Sequence, residues 1–253
     1  MSRNFELLQQ LGKEDALLGT PPVVEENVTQ VVSEPVLTEP QLKVDATELE
    51  QLTKLTQRIF LLPGAQSPRV VVFTATESGN GCSWICARAA EILAGQVAGS
   101  VCLVDANLRS PALHQQFGIE NHHGLADALR GSDSLGSFAR SLSRPNLWLL
   151  SCGSSPELAL PLLGSDRMRQ RIAELRSHTD FVLIDAPGLN VSNEAATLAS
   201  DADGVVLVLK ANSSRRETVR KTVHDLQAAK VSVLGAVLNQ RTFPIPESVY
   251  RRL

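Results

Sequence analysis

A glycine-rich turn lies between an apolar run and a helix-like run. Residues 69–75 read RVVVFTA, residues 78–84 read SGNGCSW, and ICARAAEILAG follows. A strand, a glycine turn and a helix N-terminus in this order favour an anion, because backbone N–H groups turn inward and the helix dipole is positive there. Gly79 and Gly81 permit such a turn, and Ser83 has the position from which these loops offer a hydroxyl to magnesium. The stretch predicts a phosphate-binding loop.

The lysine that such loops carry just before the serine is replaced here by Cys82. A charge-assisted bond from lysine to phosphate contributes roughly 1.5–3 kcal/mol. The same cation offsets charge on the transferred group, and phosphoryl transfer depends almost wholly on positioning and electrostatics. We therefore expect the backbone amides to hold a nucleotide weakly and turnover to fail.

Cys82 has two further interpretations. A helix N-terminus lowers the pKa of a thiol, which would make Cys82 a reactive thiolate. Cys82 and Cys86 also lie four residues apart and share a helix face, but two such ligands without further matched ones make a poor zinc site.

Two apolar runs end in an aspartate. Asp105 ends VCLVD and Asp185 ends FVLID. Ligands of an open parallel sheet bind outside the carboxyl ends of its strands, where carboxylates hold magnesium and orient an attacking group. Asp105 and Asp185 are therefore candidate catalytic residues and, with Ser83, candidate magnesium ligands. The alternative is that both aspartates are ordinary polar residues that close buried strands.

Apolar runs and helical patterns alternate along the chain. The apolar runs cover residues 69–75, 101–105, 147–151, 181–185, 204–210 and 233–238. The helical patterns cover residues 84–96, 123–130, 165–178, 192–200 and 215–229. Strands that are apolar throughout and separated by helices indicate a parallel sheet covered on both faces. We predict an α/β fold, a P-loop NTPase-like three-layer sandwich with a mainly parallel central sheet and helices on both faces.

Three segments are predicted. Residues 1–18 place apolar side chains at helical spacing and predict a short amphipathic helix. Residues 19–45 hold four prolines, several acids and no clear period, which is typical of a flexible linker. Residues 46–253 form the predicted P-loop NTPase-like domain, which opens with a helix over 46–62.

Composition narrows the function class. The formal net charge is -3 and aromatic residues make up 4%, so we expect no nucleic-acid partner. The first 20 residues do not resemble a signal peptide, and no apolar stretch approaches the ~20 residues of a membrane span. We expect a cytoplasmic protein with free thiols.

Together these motifs resemble those of the bacterial tyrosine kinases (BY-kinases) of capsule and exopolysaccharide synthesis, P-loop proteins related to the MinD/ParA ATPases. The family loop S-x-x-P-G-E-G-K-S-T corresponds to ATESGNGCSW. The family's D-x-D-x-R corresponds to Asp105, Asn107 and Arg109 in VCLVDANLRSP, and its D-x-P to Asp185 and Pro187 in FVLIDAPG. Softer matches include HQQFGIENHHGLADALRG, and the resemblance spans residues 48–253.

The resemblance implies a site for ATP or ADP with Mg²⁺. The residues that it assigns to nucleotide binding are Gly79, Asn80, Gly81, Cys82, Ser83, Trp84, Arg109 and Asn239, the last as a contact to adenine.

The departures from the family pattern fall where the chemistry should be. Cys82 replaces the lysine, Asn107 replaces the second acid of D-x-D-x-R, and Trp84 replaces a small residue. The family's E-x-x-R-x-x-R, used in ring assembly, reads Glu50-x-x-Thr53-x-x-Thr56 here, without either arginine. The tyrosine-rich tail is absent, because Tyr250 is the only tyrosine in the sequence. We interpret the chain as a degenerate member of the family.

The leading functional hypothesis is a non-catalytic regulatory or scaffolding protein in polysaccharide assembly. Its partner would be the cytoplasmic part of a membrane polysaccharide co-polymerase or an active kinase paralogue, in a homo- or hetero-oligomer held at the inner face of the membrane.

Three alternatives stay open. The first is an active ATPase or tyrosine kinase that uses Arg109, Lys210 or a lysine of a partner subunit as the missing cation. The second is a membrane-surface ATPase of the cell-division or partition type. The third is a dinucleotide-binding domain, which would need glycine or alanine where Trp84 stands.

Overall fold

The computed structural model describes residues 46–61, 67–191 and 193–240. The amphipathic helix predicted in residues 1–18 and the linker predicted over 19–45 lie outside the described residues. Seven strands form one sheet in the order β3-β4-β2-β5-β1-β6-β7. Every neighbouring pair is parallel except β3 with β4.

The elements are numbered in chain order. The strands are β1 (Val70–Ala75), β2 (Val101–Asp105), β3 (Arg140–Ser141), β4 (Leu147–Leu150), β5 (Phe181–Asp185), β6 (Gly204–Lys210) and β7 (Val233–Asn239). The helices are α1 (Ala46–Phe60), α2 (Cys82–Gln96), α3 (Leu113–Gln116), α4 (Leu125–Arg130), α5 (Pro156–Ala159), α6 (Asp166–His178), α7 (Glu194–Ser200) and α8 (Arg216–Ala228).

The central strands are buried on both faces, as the predicted fold requires. Every residue of β1 and of β2 is buried. On one face the strands pack with α1 and α2, where Phe60 meets Phe181 edge-on with ring centroids 5.9 Å apart. On the other face they pack with α4, α6, α7 and α8. The prediction of an α/β sandwich with a mainly parallel sheet is confirmed.

Short elements are the main difference from the sequence-based prediction. Strand β3, helices α3 and α5 and two 3₁₀ turns were not expected, because two to four residues are too few to show a period. The helix predicted over 123–130 begins at Leu125, since Gly124 is its N-cap and the Asp127 carboxylate accepts the Gly124 N–H at 3.0 Å.

None of the helices in the described part of the chain combines the length and the apolar character needed to cross a membrane.

Candidate functional site

The predicted phosphate loop connects β1 to α2 at the carboxyl edge of the sheet. Gly79 and Gly81 both have φ of +81°, a left-handed conformation that side chains disfavour. Gly81 is the N-cap of α2, and no side chain caps this helix start. The first N–H groups of α2 therefore have no capping side chain as acceptor, which suits an anion. An added Cβ at Gly79 would meet nothing within 4 Å, so this part of the loop is open.

The segment after β5 supports one side of the loop. The Thr74 hydroxyl donates to the Pro187 carbonyl at 2.7 Å, and the Leu189 N–H donates to the Ala75 carbonyl at 2.9 Å. Gly188 lies so close to the loop that an added Cβ would be 3.3 Å from the Ser78 nitrogen. The loop and the D-x-P segment thus form one packed unit.

Two asparagines support the other side. The buried Asn80 side chain donates to the Val208 carbonyl at the end of β6 at 3.2 Å. Asn239 ends β7 and donates its side-chain N–H to the Asn80 carbonyl at 2.9 Å. The amide nitrogen of Asn239 fills the space where a side chain at Gly81 would project. Glycine at position 81 is therefore required by both φ and space.

Asp185 lies at the end of β5, fully buried, directly beside β1. No backbone N–H group and no cation among the described residues meets its carboxylate oxygens, which have the Ser83 hydroxyl and the Cys82 thiol beside them. Burial, reinforced by the charge of Asp105, raises the pKa of Asp185, and the Ser83 hydroxyl and the Cys82 thiol oppose this shift. A buried carboxyl group without a cation or a backbone donor is costly to ionise, so a cation here would be stabilising.

Asp105 lies opposite Asp185 in the β2–β5 register and has a different environment. Its carboxylate accepts the N–H groups of Asn107 at 3.3 Å and of Ala112 and Leu113 at 3.1 Å each. Burial raises the pKa of Asp105, and these three N–H groups oppose the shift. Asp105 therefore organises the loop after β2 as well as facing Asp185.

The alternative interpretation of Cys82 as a reactive thiolate is not supported. Burial raises the pKa of the Cys82 thiol well above its usual value, and the Asp185 carboxyl raises it further. The field of a helix N-terminus is weaker here than desolvation and a neighbouring acid. Cys82 is therefore a neutral side chain beside an acidic one.

The remaining predicted residues occupy separate positions. Arg109 makes a two-pronged ion pair with Glu194 at the start of α7, with N–O distances of 2.7 and 3.2 Å. Trp84 is partly buried and packs against the core on the α2 face. Lys210 ends β6, in register with Asn239. Nothing in the sequence singled out Glu194, which is marked only by its position at the start of the apolar helix α7.

The magnesium ligands predicted from the sequence are only partly assembled. Ser83 and Asp185 are close enough to interact, and Asp105 faces Asp185 across the sheet. No three His, Cys, Asp or Glu side chains within residues 46–61, 67–191 and 193–240 are grouped to hold a metal ion. Magnesium held here would need water or phosphate oxygens to complete its shell.

The motif GLADALRG is explained by packing. Asp127 accepts the N–H groups of Gly124 and Ser154, each at 3.0 Å, and pairs with Arg130. An added Cβ at Gly124 would come within 2.6 Å of the Gly153 nitrogen. These residues join α4 to the loop after β4 and lie outside the phosphate site.

Known proteins resemble this chain at the level of both sequence and fold. No family model matches it. The tyrosine-protein kinase YwqD of Bacillus subtilis is 31% identical over 169 residues, which cover 67% of this chain and 71% of YwqD. The chain belongs to the bacterial tyrosine kinase family.

Other relatives agree with this assignment. A putative tyrosine-protein kinase, EpsB of Ralstonia solanacearum, is 32% identical over 196 residues, 77% of this chain. The chain spans only about a quarter of the length of EpsB, 26%. The solved VpsO kinase domain has a TM-score of 0.68 and 27% identity over 78% of this chain and 97% of its own.

More distant structures show the fold alone. A ParA family ATPase from Chlorobium tepidum has a TM-score of 0.56 at 20% identity over 68% of this chain and 74% of its own. This neighbour agrees with the P-loop NTPase-like architecture that the kinase domains also share.

Proposed function

We propose that this family member is catalytically impaired and acts as a regulatory or scaffolding partner in capsule or exopolysaccharide synthesis and export. One observation carries the proposal: the position of the family's loop lysine holds a neutral thiol beside a buried carboxyl group that no cation among the described residues meets. The sequence has no lysine or arginine between Arg69 and Arg88, so the loop and the first turn of α2 supply no positive charge.

The chain's own residues fit a phosphate group but do not supply its counter-charge. The open Gly79 and the uncapped start of α2 can receive an anion through backbone N–H groups. Ser83, Asp105 and Asp185 would hold magnesium, which, when bound, offsets part of the phosphate charge. Without a lysine at position 82, the transferred group would meet carboxylates and a thiol, so weak binding without turnover is the expected result.

The sequence offers a single tyrosine as a site for autophosphorylation. Tyr250 is the only tyrosine, and it lies outside the described residues. A scaffold needs neither a tyrosine cluster nor a turnover cycle. We propose that its partner is the cytoplasmic part of a membrane polysaccharide co-polymerase or an active kinase paralogue, in a homo- or hetero-oligomer at the inner face of the cytoplasmic membrane.

The alternative is an active ATPase or kinase with a substitute cation. Arg109 is the better candidate of the two suggested by the sequence, but its guanidinium is already paired with Glu194. To act on a phosphate it would have to leave that carboxylate. This alternative is therefore less well supported, although a lysine from a partner subunit would serve the same purpose.

The test is calorimetric titration of the pure protein with Mg-ATP and Mg-ADP, together with an assay of ATP turnover. The informative variant is Cys82→Lys, and its matched control is Cys82→Met, which has a long side chain without charge. We expect weak or undetectable binding in the parent and in Cys82→Met, and binding at least about tenfold tighter in Cys82→Lys, the factor for one charge-assisted bond.

Brisk ATP hydrolysis by the parent protein alone would overturn the proposal. Equal gains in Cys82→Lys and Cys82→Met would show that the side chain's length matters and its charge does not. The scaffolding role is tested separately, by pull-down of the parent with the cytoplasmic part of the co-polymerase in the presence and absence of Mg-ATP. Absence of binding in both conditions would contradict the scaffolding role, and binding that appears only with Mg-ATP would contradict a scaffold that is independent of nucleotide.

A further inference from the structure

The phosphate loop is fastened to the ends of β6 and β7 by side chains of this chain. Asn80, 2% exposed, donates its side-chain N–H to the Val208 carbonyl at 3.2 Å. It also lies 3.4 Å from the Thr76 hydroxyl. Its own backbone carbonyl accepts the Asn239 side chain at 2.9 Å. The residue between the two glycines is thus bonded through both its side chain and its main chain.

Asn239 is itself rigidly placed. Its backbone carbonyl accepts the Ala211 N–H at 2.9 Å, and it pairs with Lys210 in the β6–β7 register. A donor fixed at a strand end can hold a glycine loop in one conformation, whereas glycines alone leave the loop many conformations. The Asn239 side-chain oxygen is left for the adenine contact implied by the family resemblance.

We propose that Asn239 is a positioning residue that holds the loop in its phosphate-binding shape through the Asn80 carbonyl, with no ligand bound. A loop fastened in this way would resist a change of shape when a nucleotide binds. One consequence rests on the proposed function: ATP would not change the surface that this protein offers to its partner.

Cys82 provides the readout: its neutral, partly buried thiol at the end of this loop should react slowly in the parent and faster when the loop opens, while Cys86, Cys102 and Cys152 are buried in the described core. The rate at which N-ethylmaleimide modifies each cysteine is measured by mass spectrometry on the nucleotide-free full chain. Asn239→Ala removes the donor, and Asn239→Asp removes it while keeping the side chain's size and shape.

The matched control is Asn146→Ala. Asn146 lies at the opposite, amino edge of the sheet and donates to the carbonyls of Ala94, Val97 and Gly99 at 3.0–3.1 Å. Its loss weakens the fold without touching the loop, so all four cysteines should react faster in parallel.

We expect both Asn239 variants to raise the Cys82 rate alone by about two- to tenfold, the ratio for losing one net hydrogen bond. An unchanged Cys82 rate would overturn the proposal. A parallel rise at all four cysteines would also overturn it, because Asn239 would then contribute only to overall stability. The measurement uses no nucleotide, so its failure is distinct from failure of the proposed function.

Discussion

Aspartates at the two edges of the sheet differ in the hydrogen-bond donors and cations that surround them. At the amino edge, Asp203 accepts the N–H groups of Arg69 at 2.7 Å and Val70 at 2.8 Å, and it pairs with Arg176 at 2.9 Å. Burial alone would raise the pKa of Asp203, but these donors together lower it. At the carboxyl edge, Asp185 is buried with neither a backbone N–H donor nor a cation among the described residues, and its pKa is raised.

The contrast separates structural from functional carboxylates. A side chain whose hydrogen bonds are complete stabilises the fold and has no bond left for a ligand. A buried carboxyl group without a cation or a backbone donor destabilises the fold when it ionises, and such a site is expected to have a role that offsets this cost. In this protein the cation that would complete the site is missing at position 82, so the cost persists.

The largest effect is expected at the amino edge. Asp203→Ala should lower the free energy of unfolding by about 2–3 kcal/mol, because two backbone N–H groups and Arg176 lose their acceptor. Urea denaturation measures it. Asp201→Ala is the control, since the nearest cation to Asp201 is Arg169 at 3.8 Å, and it should change stability by far less. Equal losses of stability in the two variants would show that the hydrogen bonds of Asp203 contribute no more than the weak ion pair of Asp201.

At the carboxyl edge, replacing the aspartate should stabilise the protein instead of destabilising it. Asp185→Asn should raise the free energy of unfolding at pH 7 by about 1–2 kcal/mol, because a folded-state pKa raised above the unfolded value near 4 means that ionisation opposes folding. The stability of the parent should fall as pH rises from the unfolded pKa near 4 to the folded pKa of about 8. Below pH 4 the parent and Asp185→Asn should have nearly the same stability. Measurements in chelator-treated buffer exclude bound metal. A destabilised Asp185→Asn would contradict the comparison.

A smaller effect is expected when the missing cation is restored. In Cys82→Lys the ammonium group would pair with Asp185, so Asp185→Asn should give about no gain in that background or a slight loss. In the Cys82→Met background the gain of the parent should persist. The double-mutant cycle is measured by denaturation, and additive effects in both backgrounds would show that position 82 does not reach Asp185.

The smallest effect concerns Arg109. Its side chain is 41% exposed, so Arg109→Ala should barely change the midpoint of thermal unfolding even though the Glu194 pair is lost. ATP turnover should be equally absent before and after the change. A measurable activity that disappears in Arg109→Ala would instead support the substitute-cation alternative.

Much of the architecture could be predicted from local pattern. The six long strands and the helices between them follow apolar runs, and burial is complete in β1 and β2. The aspartates at two strand ends were also predictable, because parallel strands bring their carboxyl ends to one edge. Strand β3 could not be predicted, because two residues are too few to show a period. The Arg109–Glu194 pair could not be predicted either, because its side chains are 85 positions apart in the sequence.

By itself the sequence determined the sandwich, the loop between β1 and α2, and the absence of a lysine from that loop, because these depend on residue type and on short-range periodicity. Only the tertiary structure decided the state of each group. It shows that three N–H groups hold Asp105, whereas no backbone N–H and no cation of the described residues meets Asp185. It also shows that the Cys82 thiol is kept neutral and that Asn239 bonds to Asn80 across 159 positions. Burial and hydrogen bonding between distant segments set those states, and no local spacing encodes them.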